Sequence, residues 1–188
     1  MKTILLILLS LVLFIHCEYS RSGAVAYARQ WAHGVNHQCG DNYLACTPAS
    51  YFGREHCGYE SHGGDCANFV SQCLVFGGNH EKLHKTKNCR GYPCGFEEPG
   101  AQRLGFCLQD KGWTSTCGYL LAPPDYIKEG DVLIYHEGSC GGFKSHAVFV
   151  TQGGSNALIA CHSSEQLDVS YTYMSNSKPY FEWFHYND

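Results

Sequence analysis

The chain opens with an apolar run, the strongest hydrophobic pattern in its first third. Residues 4–15 are apolar apart from Ser10, and Lys2 precedes them. The run is too short to cross a bilayer comfortably, and a basic residue before it is typical of a secretory signal peptide. We therefore expect residues 1–17 to be a signal peptide that is cleaved near Cys17.

The remaining residues, 18–188, are enough for one domain with its own core. No other segment is apolar enough to cross a membrane, so we expect a secreted protein without a membrane anchor. A lipid anchor at Cys17 is an alternative, but His16 stands where lipoprotein signals prefer a small residue.

Two segments of the mature chain show helical patterns. Residues 22–33 carry an apolar stripe, with Ser20 or Ser22 as the cap, and Gly34 follows them. Residues 66–76 form a second helix before a glycine pair, and its predicted apolar face comprises Cys66, Phe69, Val70, Cys73 and Leu74. This second pattern predicts a mostly buried central helix.

The last third of the chain changes to a strand pattern. The runs rich in β-branched and aromatic residues are Asp131 to Tyr135, Ser145 to Gln152, Ala157 to Cys161, Val169 to Met174 and Tyr180 to Tyr186. Helices followed by hairpin-linked strands predict an α+β fold with an antiparallel sheet. Two loop-rich, cysteine-rich insertions, 35–62 and 79–128, interrupt this plan, and a short helix is expected around Pro99 to Asp110.

Charge excludes some classes of partner. The formal net charge is −4 for the whole chain and becomes −5 when Lys2 is removed with the signal peptide. No basic patch suggests a nucleic-acid partner. The cysteine spacings do not form the paired knuckles of structural zinc sites, so we expect no metal and no other cofactor.

Cysteine arithmetic indicates a reactive thiol. The chain has 12 cysteines, and removal of Cys17 leaves an odd number in an oxidising compartment. Of the remaining eleven cysteines, we expect ten to form disulfides and one to keep its thiol. The sequence around Cys66 makes it the candidate, whereas Cys73, deeper in the same helix, is expected to be paired or buried.

Cys66 also has the surroundings of a nucleophile. Gly63 and Gly64 lead to Asp65, a capping residue, and Cys66 then opens the helix. The dipole and unpaired N–H groups of a helix start favour a negative sulfur, and a nearby imidazolium favours it further. Read alone, a cysteine in a helix is more often a small buried hydrophobe or half of a disulfide.

Two histidines are candidates to serve this thiol. His146 begins an apolar strand and is the expected base, while His162, on the next strand, is the expected orienting group. Asp168 is an alternative orienting group. The backbone N–H of Cys66 is expected to stabilise the oxyanion, and Tyr59 is a candidate side-chain donor for the same role. The other histidines are expected at the surface.

The segment from Gly63 to Gln72, GGDCANFVSQ, resembles the signature of the Putative amidase domain family, within the CHAP and NlpC-type amidases and peptidases. Four further segments are similar to other parts of that family: the opening helix, Glu129 to Val132, Ser145 to Val148 and Ala160 to Ser163. The resemblance implies a papain-like fold and a Cys66, His146 and His162 catalytic site. The two cysteine-rich insertions depart from the family pattern and leave the substrate open.

What the resemblance implies is hydrolysis of an amide bond in bacterial cell-wall peptidoglycan by a monomeric enzyme. Two alternatives remain open at this stage. The same thiol can act on proteins or peptides as a hydrolase or acyl transferase. The chain can also be a secreted, disulfide-rich binding protein or toxin whose thiol is inert.

Overall fold

Three helices and six strands form the part of the chain described by a computed structural model, which covers residues 19–33, 66–80, 100–162 and 165–188. The helices are α1 (Arg21–Trp31), α2 (Cys66–Gln72), which continues as a π-helical turn over Cys73–Gly77, and α3 (Ala101–Asp110). The strands are β1 (Thr114–Tyr119), β2 (Val132–His136), β3 (Lys144–Gln152), β4 (Leu158–Cys161), β5 (Gln166–Ser170) and β6 (Tyr180–His185).

The strands form one antiparallel sheet in the order β1-β6-β2-β3-β4-β5. Together with the three helices, this sheet confirms the α+β class. The β2–β3 and β3–β4 hairpins place three largely buried strands beside one another, and β6, which is also largely buried, lies on the other side of β2. The apolar runs of the sequence therefore lie in the middle of the sheet.

The two faces of the sheet carry separate apolar cores. On one face, which we call the helix side, Val132, Ala147 and Phe149 pack with the buried residues of α1, α2 and α3. On the other, which we call the far side, Val148 and Val150 pack with buried residues of neighbouring strands and loops. Strand side chains alternate between faces, so each strand residue can be assigned to one side.

The helices begin and end where the sequence provides the signals. Ser20 caps α1, because its side-chain oxygen accepts a hydrogen bond from the Gly23 N–H at 3.2 Å. The glycines at 77 and 78 end α2, and the Gly78 N–H bonds back to the Cys73 carbonyl at 2.8 Å. That bond spans five residues, which is the π-helical pattern, so the last turn of α2 is wider than predicted.

Two strands differ from the sequence-based expectation. The sequence patterns do not predict β1, because TSTCGY is short and polar and lies on an edge of the described sheet, where one side of the backbone has no strand partner. Strand β5 ends at Ser170 instead of extending from Val169 to Met174, because the chain enters turns after it. The helix expected from Pro99 to Asp110 is observed from Ala101.

The cysteine and histidine expectations need correction. Cys66, Cys73 and Cys161 all carry buried thiols, so the expectation that only one cysteine keeps its thiol is wrong. The last two are fully buried among apolar side chains, as small core residues often are. The expectation that the remaining histidines lie at the surface is also wrong, since the buried polar residues include His80, His136 and His185.

A disulfide joins Cys117 of β1 to Cys140 in the loop between β2 and β3. Cys107 of α3 is also disulfide-bonded. The proposed signal peptide, Asp65, Tyr59, the whole insertion 35–62 and residues 81–99 of the insertion 79–128 lie outside the described residues. Within the described ranges, no helix combines the length and apolar character needed to cross a membrane.

Candidate functional site

The thiol of Cys66 lies where α2 meets the middle of the sheet. The residue is 4% exposed, and its sulfur accepts a hydrogen bond from the Ala147 backbone N–H at 3.5 Å. Ala147 is a small residue on the helix side of β3, so the start of α2 can approach the strand closely. A main-chain donor at this sulfur stabilises the thiolate relative to the thiol.

His146 is the residue next to Ala147, and its ring turns to the far side of the sheet. It pairs across the sheet with Tyr135, a far-side residue, and the two rings stack with centroids 6.0 Å apart. The His146 Nε2 forms a 2.9 Å hydrogen bond with the Tyr173 hydroxyl, which lies 3.1 Å from the sulfur of Cys161. The structure therefore brings the His146 backbone, but not its ring, to the Cys66 face.

Burial sets the charge of the His146 ring. Desolvation lowers the pKa of His146 to about 4, and the positive charge of Lys178 contributes to the lowering. Its imidazole is consequently neutral at neutral pH.

His162 lies on the helix side, against the helix that carries the thiol. Its ring stacks on Phe69, one turn after Cys66, with centroids 4.0 Å apart and planes inclined by 22°. Its Nε2 is 2.8 Å from the carbonyl oxygen of Trp31, the last residue of α1. Of the two predicted histidines, His162 is thus the one whose ring shares a face with Cys66.

Asp168, the alternative orienting group, is engaged elsewhere. Its carboxylate accepts a hydrogen bond from the Thr151 hydroxyl at 2.6 Å and lies 3.5 Å from the guanidinium of Arg29. Cys73, in the π-helical turn, is fully buried, and desolvation raises the pKa of its thiol. A fully buried thiol with a raised pKa is a poor nucleophile, so Cys73 is not a candidate for that role.

A second polar cluster lies beside the site on the helix side of the sheet. The Glu182 carboxylate bonds the Lys144 ammonium and His136, whose Nε2 is 2.8 Å from Oε2, and Gln109 of α3 donates to Oε1 at 3.2 Å. The ammonium also lies 5.0 Å from the centre of the Phe184 ring. No pattern in the sequence indicates this cluster, because its members come from β2, β3, β6 and α3.

Sequence reasoning also missed two main-chain groups, the Ala147 N–H and the Trp31 carbonyl. Nearly every residue has a backbone N–H and a carbonyl, so the sequence does not indicate which of them will lie at a site. The packing of α1 and α2 in the folded protein identifies these two. In the described part of the chain, no group of three or more His, Cys, Asp or Glu side chains is arranged to hold a metal ion.

Fold and site together define an α+β protein in which a helix-borne thiol packs on a central antiparallel strand, β3, that carries His146, while His162 follows the neighbouring strand β4. The model of the family described as Putative amidase domain matches residues 18–184. The chain belongs to this family, and amide hydrolysis is the activity that the family suggests. No curated protein matches the chain significantly, and neither does any solved structure.

Proposed function

We propose that the protein is a secreted cysteine amidase that hydrolyses amide bonds of bacterial peptidoglycan, with Cys66 as its nucleophile. The observation that carries the proposal is the Cys66 thiol at the start of α2, with the Ala147 N–H directed at its sulfur. Membership of an amidase family supports amide hydrolysis. The packing of all three helices on one face of an antiparallel sheet is compatible with the papain-like architecture that the sequence resemblance implies.

The proposed reaction is the one by which a thiol, with a histidine as its base, cleaves an amide. A histidine removes the proton of Cys66, and the sulfur attacks the carbonyl carbon of the amide. The C–N bond breaks as the amine takes a proton from the imidazolium, which leaves a thioester on Cys66. Water, deprotonated by the same imidazole, then cleaves the thioester and restores the thiol. The sequence assigns the base to His146 and the orienting role to His162.

Secretion and the peptidoglycan substrate rest on the sequence. The apolar run at the N-terminus has the pattern of a signal peptide, and the signature around Cys66 resembles wall-directed amidases. The disulfide between Cys117 and Cys140 suits an oxidising compartment.

The experiment compares Cys66→Ala with Cys73→Ala, which removes a second buried thiol from the same helix. Each purified variant is incubated with peptidoglycan, and released amino groups are counted against time. Cys66→Ala is expected to abolish release, whereas Cys73→Ala is expected to retain it in proportion to its folded fraction. Undiminished release by Cys66→Ala refutes the proposal.

A parallel incubation with casein separates peptidoglycan from protein substrates. Release from casein but not from peptidoglycan would move the activity to the peptide-directed alternative. If neither substrate is cleaved and iodoacetamide labels Cys66 at pH 6 no faster than a simple thiol, the non-catalytic alternative is correct.

A further inference from the structure

The face on which the His146 ring lies depends on a β-bulge beside it. In the β2–β3 pair, Tyr135 lies opposite His146 and His136 lies opposite Lys144, so Ser145 is an extra residue with no opposite residue in β2. A bulge of this kind bends the strand and re-aims the side chains next to it. Because directly opposed residues share a face of the sheet, His146 lies on the far side with Tyr135.

Two small residues flank His146, and the bulge can sit at either of them with little steric cost. Ser145 precedes the histidine, and Ala147 follows it. If Ala147 becomes the bulged residue, Ser145 moves opposite Tyr135 and His146 moves opposite Ile134. The pairs on both sides of this segment stay as they are: His136 with Lys144, and Leu133 with Val148. The shift therefore turns one large side chain, that of His146, from the far side to the helix side.

The position opposite Ile134 is the one that meets the thiol. Ala147 holds it in the fold described above, and its N–H reaches the Cys66 sulfur at 3.5 Å. Ile134 belongs to the helix-side core, so a histidine opposite it also turns to the helix side. The N–H at that position is then the one of His146. A shifted bulge thus brings His146 to the face of the thiol, where the proposed reaction needs its base.

We infer that the fold described above is a resting form, and that moving the bulge from Ser145 to Ala147 produces the active form. The inference rests on the proposed function and concerns the regulation of that same site. Tyr173 stabilises the resting form, because its hydroxyl lies 2.9 Å from the Nε2 of His146 on the far side. Ser145, Ala147 and Tyr173 are positioning residues, since they act through His146. A substrate that binds the active form more tightly than the resting form shifts the population toward it.

Two single-residue deletions fix His146 on one face each. Deletion of Ser145 removes the bulge and keeps His146 opposite Tyr135, on the far side. Deletion of Ala147 also removes the bulge but places His146 opposite Ile134, on the helix side. The readout is kcat/KM for amide release per folded molecule. The Ser145 deletion is expected to lose about 100-fold or more, because the base cannot reach the thiol, and the Ala147 deletion should be at least about tenfold more active than it. The opposite order of activities overturns the inference.

Tyr173→Phe tests the bond that stabilises the resting form. The variant keeps the ring but lacks the hydroxyl that bonds His146, so kcat/KM should rise about 2- to 10-fold as the active form becomes more populated. Tyr171→Phe is the matched control, because the Tyr135 hydroxyl bonds the main-chain carbonyl of Tyr171, which this substitution keeps. Its kcat/KM should not change. An unchanged or lower kcat/KM in Tyr173→Phe contradicts the inference.

A measurement that needs no catalysis separates the bulge shift from the proposed function. Amide ¹⁵N relaxation dispersion should show exchange at Ser145, His146 and Ala147 but not at Val150, whose pairing is the same in both forms. Absence of exchange at His146 in both the wild-type protein and Tyr173→Phe refutes the inference, whether or not the deletion variants fold. Where both deletions lose activity equally, this measurement decides: exchange confined to the three residues supports the inference. Activity that survives Cys66→Ala defeats the proposed function instead.

Discussion

Glu182→Gln tests how much the buried polar cluster contributes to stability. Glu182 is 5% exposed, Lys144 is 6% exposed and His136 is fully buried, so the carboxylate is the anion that neutralises a cation within the core. Glutamine has nearly the same shape and can still accept hydrogen bonds from both partners. The substitution therefore removes the negative charge and keeps the bonds to Lys144 and His136, while the bond from Gln109 is kept only if the Gln109 amide rotates to present its oxygen.

The magnitude follows from the burial of the pair. Breaking a buried ion pair by removing one partner costs about 3–5 kcal/mol, because the other charge is left uncompensated. Since the glutamine side chain would keep both hydrogen bonds, we expect about 3 kcal/mol, at the lower end of that range. For a domain of this size, the loss corresponds to a fall in melting temperature of about 6–12 °C.

A second substitution shows whether the uncompensated charge is the cause. In the Glu182→Gln background, Lys144→Met removes the cation and leaves an apolar chain beside the rings of Phe106 and Phe184. Apolar replacement of a buried pair is often neutral or stabilising, so the double variant should recover at least half of the lost stability.

The assay is urea unfolding followed by circular dichroism. If the free energy of unfolding falls with urea concentration at the same slope in the variant and the wild-type protein, only the stability has changed. The reasoning is refuted if Glu182→Gln costs less than about 1 kcal/mol, or if adding Lys144→Met lowers the stability of the Glu182→Gln protein further.

Three further predictions concern stability. The free energy of unfolding should fall by about 2 kcal/mol between pH 7 and pH 5 on account of His146. The pKa of His146 is about 4 in the folded protein and near 6.5 in the unfolded chain, so the unfolded chain binds the extra proton. Urea titrations of His146→Gln at the two pH values should lack this component. Replacing Cys117 and Cys140 together by serine should cost about 3 kcal/mol by releasing a closed loop, and an unchanged urea midpoint would contradict this. Gly77→Ala should cost about 1–3 kcal/mol because its Cβ would approach backbone atoms of α1 to 2.9 Å. Gly141→Ala, whose Cβ would have no atom within 4 Å, should be nearly neutral when both variants are compared by thermal unfolding.

Much of the fold could be predicted from local pattern. Caps, apolar stripes and glycine stops located α1 and α2, and apolar runs located β2, β3 and β4, because these elements bury residues that follow one another closely in sequence. Strand β1 could not be predicted in this way, since its pairing with β6 joins residues about seventy positions apart. Its own residues are half exposed and carry little hydrophobic signal.

The residues of the candidate site could be proposed from the sequence, but the faces of the sheet on which their side chains lie could not. The signature located Cys66, and strand patterns located His146 and His162, yet the face of each ring depends on register. In β3, the pairing shifts between Tyr135 and His136, so that Ser145 forms a bulge. The bulge lets Lys144 and Ala147 share the helix side while His146 faces away, and no composition or spacing rule specifies that arrangement.

The disulfide between Cys117 and Cys140 makes the two edges of the described sheet unequal. Strand β1 pairs with β6, but its cysteine is also tied covalently to the loop between β2 and β3, beyond β6. To leave the sheet, β1 must therefore carry that loop with it, whereas main-chain hydrogen bonds to β4 hold β5 at the opposite edge. Amide protons of β5 that bond to β4 should exchange with solvent through local fraying, while those of β1 that bond to β6 should exchange mainly when several strands open together.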